Sequence, residues 1–227
     1  MTRFPIFSSF EGRTWWYRGK PYSKAELVLD GVVHAIGLLI ALAAGGLLLA
    51  LAAQSFLPAI AVYVGSLVAV LAISLAFNLA PVNAAKRLLA RLDQAAIFLL
   101  IAGTYTPILA LLSGTANSHL VLALVWGAAV IGVALKLLVP QHFGRLALAL
   151  YLGIAWSGVL VFQALAEALP HSTLWLLLAG GVAYSSGIIF HLWERLNFHN
   201  VLWHCFVVAG ASLHLWAVLD CMVINRT

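Results

Sequence analysis

Seven stretches of this chain are apolar over roughly bilayer-spanning lengths, at about 25–52, 58–80, 93–113, 118–139, 146–166, 172–193 and 199–223. A run of that length crosses the hydrocarbon core of a membrane as one α-helix. Inside lipid the backbone has no water to bond, so only helices and closed barrels can span it. The alternating polar and apolar residues of a barrel wall are missing here. The sequence therefore predicts an all-α integral membrane protein, a seven-transmembrane helix bundle. Composition agrees: 64% of the 227 residues are hydrophobic and 8% are charged, with a mean hydropathy of +1.05. A soluble core has no use for that much apolar surface. The connections are short, as in a compact bundle. Residues 1–24 form an N-terminal cytoplasmic or interfacial segment in this reading, and 25–223 the membrane domain. No cleavable signal peptide is expected, because a polar and aromatic segment precedes the first apolar run. Cys205 and Cys221 both fall in the last span. They are too few for a disulfide framework and read as buried thiols.

Charge sets the expected orientation. Arg3, Arg13, Arg18, Lys20, Lys24, Lys86, Arg87, Arg91, Lys136, Arg145 and Arg195 all fall on one side of a seven-span chain, and only Arg226 on the other. Positive loops stay in the cytoplasm, so the N-terminus is predicted cytoplasmic and the C-terminus outside. The net charge of +5 suits loops lying against anionic lipid rather than nucleic-acid binding.

The intramembrane polar residues are not scattered. In span 1, Glu26, Asp30 and His34 recur every four residues and share one face. Ser74 and Asn78 lie near the cytoplasmic end of span 2, and Asp93 opens the third apolar run on that side. His191 ends span 6 there, and His199 and His204 begin span 7. Ionisable groups in a bilayer are costly and mark function by default. A network of helix-to-helix hydrogen bonds produces such a level; so does a metal or catalytic site. His214, deeper in span 7, reads as a hydrogen-bonding group between helices. His119, His142 and His171 read as solvated loop residues, Glu167 and Asp220 as boundary charges, and most tryptophans as interface anchors. Gly45, Gly46, Gly180 and Gly181 read as points of close helix packing.

Four motifs carry a family resemblance: YSKAELVLDGVVHAIG (Tyr22–Gly37), SLAFN (Ser74–Asn78), RLDQAAIFLLIAGTYTP (Arg91–Pro107) and WHCFVVAGASLH (Trp203–His214). In this order they resemble the haemolysin III and progestin–adipoQ receptor family, bacterial branch. The resemblance covers residues 22–220. It implies a multi-pass protein of the bacterial cytoplasmic membrane with a zinc site near the cytoplasmic face. In the family a histidine four residues after a serine on span 2, and two histidines four apart on span 7, ligate the metal. An aspartate at the start of span 3 holds a zinc-bound water. Three imidazoles and a water make an open, catalytic-type site, and hydrolysis of a lipid amide of the ceramide type would follow.

This chain departs from that pattern. The serine is Ser74, but the histidine position after it is Asn78; His204 is present, but four residues before it stands Asn200. Asp93 is retained. A carboxamide is a weak zinc ligand beside imidazole. The site is therefore expected to be altered, with zinc weakened or lost. In one form, Asn78, Asn200, Asp93 and His204 make a hydrogen-bonded network. In another, the site is rewired and recruits His199, His191 or His34 beside Asp93 and His204. The asparagines disfavour an intact family site. Asp30 and His34 are expected to support the site from behind, and Ser74 and Asp93 are the candidate catalytic residues. Enzymatic status stays open. The readings from different classes are a zinc-dependent lipid-amide hydrolase, a lipid-sensing or structural protein that binds an acyl chain among spans 3 to 7, and a lytic pore. The expected partners are membrane lipids.

Overall fold

The computed structural model describes residues 16–17, 20–21, 23–81, 83–112, 116–139 and 144–225. The N-terminal segment expected to be cytoplasmic or interfacial lies mostly outside them. What is described there is a minimal antiparallel pair, β1 (Trp16–Tyr17) and β2 (Lys20–Pro21). Every later element among the described residues is helical. The elements are α1 (Lys24–Leu51), α2 (Leu57–Leu79), α3 (Ala84–Ala110), α4 (Ala116–Leu138), α5 (Gly144–Ala155), α6 (Phe162–Ala168), α7 (His171–Leu192) and α8 (His199–Leu219). Short 3-10 segments, Gln54–Phe56 and Trp156–Val161, precede α2 and join α5 to α6, and a π-turn, Asp220–Ile224, follows α8. Among the described residues seven helices, α5 and α6 counting as one, are long and apolar enough to cross a membrane.

The helix starts follow local chemistry. Ser23 and Glu26 form a capping box: Ser23 Oγ accepts from Glu26 N at 3.2 Å, and Glu26 Oε2 accepts from Ser23 N at 2.8 Å. Leu57 and Pro58 open α2, where a missing N–H costs nothing. The third helix differs from expectation. It begins at Ala84, where Asn83 accepts from Lys86 N, well ahead of the apolar run near residue 93. Residues 84–92, AAKRLLARL, are strong helix formers that carry three cations. Hydropathy hides this stretch; propensity and the cap extend the helix through it. Asp93 thus sits about two and a half turns inside α3 rather than at its start. His119 and His171 lie on the first turns of α4 and α7, not in loops.

The helices pack most closely as α7 on α8, α2 on α3, α3 on α4, α1 on α2 and α1 on α8. Helix α8 therefore lies between α1 and α7. Tyr63, Phe98, Leu48, Ile60 and Leu67 fill the interior, while Leu39, Leu138 and Leu160 face outward, where lipid is the solvent. The glycine pairs divide. A Cβ on Gly45 would meet Val64 at 2.8 Å, and Gly180 faces His214, whereas Gly46 faces open space. Gly37 matters most for the site: a Cβ there would stand 2.8 Å from Val208, so α1 and α8 close up one turn beyond His34. Successive helices alternate in direction. The start of α1, the end of α2, the start of α3, the end of α7 and the start of α8 thus share one end of the bundle, called here the near end.

Candidate metal centre

Three helices bring polar side chains together at the near end. Helix α1 contributes Asp30 and His34, one turn apart on its inner face; α8 contributes Asn200 and His204 with the same spacing; α2 contributes Ser74 and Asn78. All six are buried. Asp30 is the hub. Its Oδ1 accepts from His204 Nδ1 at 2.5 Å, its Oδ2 lies 3.4 Å from Asn200 Nδ2, and its backbone carbonyl accepts from His34 Nδ1 at 2.8 Å. The two imidazole rings meet edge to face with centroids 4.3 Å apart. One donor atom from each of Asp30, His34 and His204 lies within 4.8 Å of the others, so this buried group could hold a metal ion.

The bonding fixes the tautomers. A neutral imidazole that donates through Nδ1 carries its lone pair on Nε2. Both rings are placed this way, His204 by a carboxylate and His34 by a carbonyl. A carboxylate behind a histidine also raises its basicity and sets its orientation. One carboxylate and two imidazoles are a donor set that zinc accepts with a position left for water, and that other divalent first-row metals accept as well. By donor chemistry the residues fit a metal.

The neighbouring groups take other parts. Ser74 Oγ donates to Asp93 Oδ1, a hydrogen bond between α2 and α3. Asn78 Nδ2 donates to the Ser74 carbonyl at 3.0 Å, so this amide serves its own helix. Lys86 Nζ covers the end of α2, 3.0 Å from the Ala80 carbonyl and 3.4 Å from that of Asn78. Asn200 presents its amide nitrogen, a donor, to the Asp30 carboxylate. His199 is buried at the first position of α8 and His191 lies against Trp203, with ring centroids 5.1 Å apart; neither belongs to the three-residue donor group. Glu26 Oε1 accepts from Phe198 N at 3.0 Å. That bond ties the start of α1 to the start of α8, where Phe198 holds a left-handed φ of 60°.

Two further polar knots escape a reading of the sequence alone, and a third, at His214, is the helix-to-helix bond that the sequence led us to expect. Lys136, counted there among the loop charges, is buried and donates to Gln94 Oε1 at 2.7 Å, while Tyr151 donates to the Gln94 carbonyl at 2.6 Å. At the far end Asp220, read as a boundary charge, is buried. Its Oδ2 accepts from Ser172 and Thr173 at 2.6 Å each, and its Oδ1 from Asn225 at 2.7 Å. His214 Nε2 meets the Leu177 carbonyl at 3.1 Å across α7 and α8.

Residues 23–215 match the family described as haemolysin-III related. The chain belongs to that family. Among curated proteins it is similar to "Hemolysin-3" of Bacillus cereus, 37% identical over 134 residues, which is 59% of this chain and 61% of the relative. It is similar also to "Hemolysin-3 homolog" of Bacillus subtilis (strain 168), 37% identical over 135 residues, 59% of this chain and 63% of the relative. The matched part thus spans about three-fifths of the length of these relatives. No solved structure matches the chain. As a haemolysin-III-related protein with seven spans, it is a multi-pass membrane protein.

Proposed function

We propose that this haemolysin-III-related protein binds zinc at its near end, in a site rebuilt around Asp30, His34 and His204, and that it acts there on a membrane lipid. The observation that carries the reading is the convergence of one carboxylate and two imidazoles within 4.8 Å, buried between α1 and α8. The family resemblance implies imidazoles where Asn78 and Asn200 stand. In this reading Asp30 makes good the loss, and Asn200 steadies its carboxylate. The distribution of positive charge supports a near end at the cytoplasmic face, and the cytoplasmic membrane of a bacterium is the proposed location. Zinc, when bound, would lower the pKa of a coordinated water to near neutrality. The chain's own part is to place a base beside that water. Asp93, oriented by Ser74, is suited to accept its proton. Hydrolysis of a lipid amide is the reaction such an arrangement serves.

A second reading has support in the same distances. The His204–Asp30 contact of 2.5 Å and the Asn200 amide nitrogen beside the other carboxylate oxygen form a hydrogen-bonded set that can hold α1 to α8 without metal. Zinc content per chain in detergent-purified protein separates the two. We expect about one zinc per chain in the wild type, by the one-site donor set, lost in Asp30→Ala and His204→Ala and kept in Asn78→Ala. A folded wild type without zinc after incubation with the metal overturns the metal reading and leaves the structural one.

A further inference from the structure

Span 5 is the one span of the seven built from two helices. Helix α5 ends at Ala155, α6 begins at Phe162, and between them Trp156–Val161 winds as a 3-10 helix. At Val161 the backbone leaves helical geometry altogether, with φ −120° and ψ 20°. Sharp breaks in helices have causes: a proline, a glycine–serine pair, a π-bulge, or a side chain inserted into the hydrogen-bond ladder; Ser157 and Gly158 are such a pair. Residues 144–168 contain no proline.

At this pair a tyrosine from another helix enters the ladder. In a regular α-helix Gly158 N would donate to the Ile154 carbonyl. Instead Gly158 N donates to the hydroxyl of Tyr105, on α3, at 2.6 Å. That hydroxyl lies 2.8 Å from the Ala155 carbonyl and 3.1 Å from the Ile154 carbonyl, to which it donates in turn. Ser157 Oγ takes up the Ile154 carbonyl as well, at 2.7 Å. The phenol oxygen therefore stands inside the bond it replaces, and it partners Gly158 N and the Ile154 and Ala155 carbonyls where no water is at hand. Gly158 makes the approach possible: a Cβ there would come within 3.1 Å of the hydroxyl. On the opposite side of the break, Trp156 reaches α7. Its Nε1 donates to Ser185 Oγ at 3.2 Å, and its ring lies where a Cβ on Gly181 would meet it at 3.4 Å.

We infer that Tyr105 is a removable wedge, and that span 5 has two states. With the hydroxyl in place the span is broken and Trp156 is seated on α7. With it withdrawn, Gly158 N–H returns to the Ile154 carbonyl and the span becomes one continuous helix. The size of the change follows from helix geometry. A 3-10 helix rises about 2.0 Å per residue and turns about 120°, an α-helix about 1.5 Å and 100°. Over Trp156–Val161 the difference is about 3 Å of length and about 120° of rotation. Helix α6 would turn by a third of a revolution against α4 and α7, and the seam between span 5 and α7 would change with it.

The test is a distance. Spin labels placed at Glu167→Cys on α6 and Leu120→Cys on α4, in a Cys205→Ser background, report the position of the far half of span 5 in lipid bilayers. Tyr105→Phe removes the wedge, and Gly158→Ala crowds it out from the other side. Both variants, checked for folding by circular dichroism, are expected to shift the label distance in the same direction by several ångström, with slower amide exchange at Gly158. If one variant does not insert, the other carries the test. A folded variant that keeps the wild-type distance, even with lowered thermal stability, overturns the inference and leaves Tyr105 as a fixed structural bond.

Discussion

Asp30 does two jobs with one side chain and its own backbone: the carboxylate holds His204, and the carbonyl holds His34. Conversion of Asp30 to Asn keeps the shape and removes the charge. If zinc binds as proposed, Asp30→Asn is expected to weaken zinc affinity by at least roughly 10–100-fold, the usual cost of losing a carboxylate that supports a metal-bound histidine. Ser74→Ala, which touches Asp93 rather than the donor group, should leave affinity within a few-fold. A zinc titration of the two variants checks this, and equal losses in both would contradict the assignment. At this scale the sequence was informative about membership and silent about bonding. The spacing of Glu26, Asp30 and His34 put them on one face, and the departures at Asn78 and Asn200 were plain in the sequence. That Asp30 and His34 meet His204 was not legible there, because it depends on α1 and α8 closing up at Gly37 and Val208, which neither helix pattern reveals alone.

Elements were legible where hydropathy and helix coincide, and less so where they part. Helix α3 begins in a charged stretch that hydropathy excludes, and span 5 breaks within an unbroken apolar run where a tyrosine from α3 enters its ladder. Neither the Asp220 knot nor the Lys136–Gln94 pair has a periodic signature, since each joins residues far apart in the chain. The knot fastens the start of α7 to the end of α8. Asp220→Ala would leave the hydroxyls of Ser172 and Thr173 and the Asn225 amide without their acceptor. The expected cost is about 1–3 kcal/mol, read as a lowered midpoint in a detergent unfolding titration. Zinc content should not change, because the knot and the donor group lie at opposite ends of the bundle. A loss of zinc without loss of stability would be the contrary result.

For the molecule as a whole, the proposed orientation rests on charge. Ser55 lies in the connection between α1 and α2, and Arg195 in that between α7 and α8, so the two are on opposite sides of the membrane. In a Cys205→Ser background, a membrane-impermeant thiol reagent added to intact cells should label Ser55→Cys and spare Arg195→Cys until the cells are opened. The reverse pattern would invert the bundle and put the donor group at the outer face. Seven spans and their order could be read from composition alone. The packing of α8 between α1 and α7 could not, since hydropathy counts helices without saying which ones touch.

The contact between Asp30 and His204 joins positions 174 residues apart. A ribosome that feeds this chain into the membrane from its first span releases α1 with His34 already bonded to the Asp30 carbonyl, but with the Asp30 carboxylate in hydrocarbon and its partners still unmade. Until α8 emerges, Asp30 has neither His204 nor Asn200 to bond, and Glu26 has no Phe198 amide to receive. The first helix is thus held in debt to the last. Completion of the site and closure of the bundle are one event, and it comes at the end of synthesis.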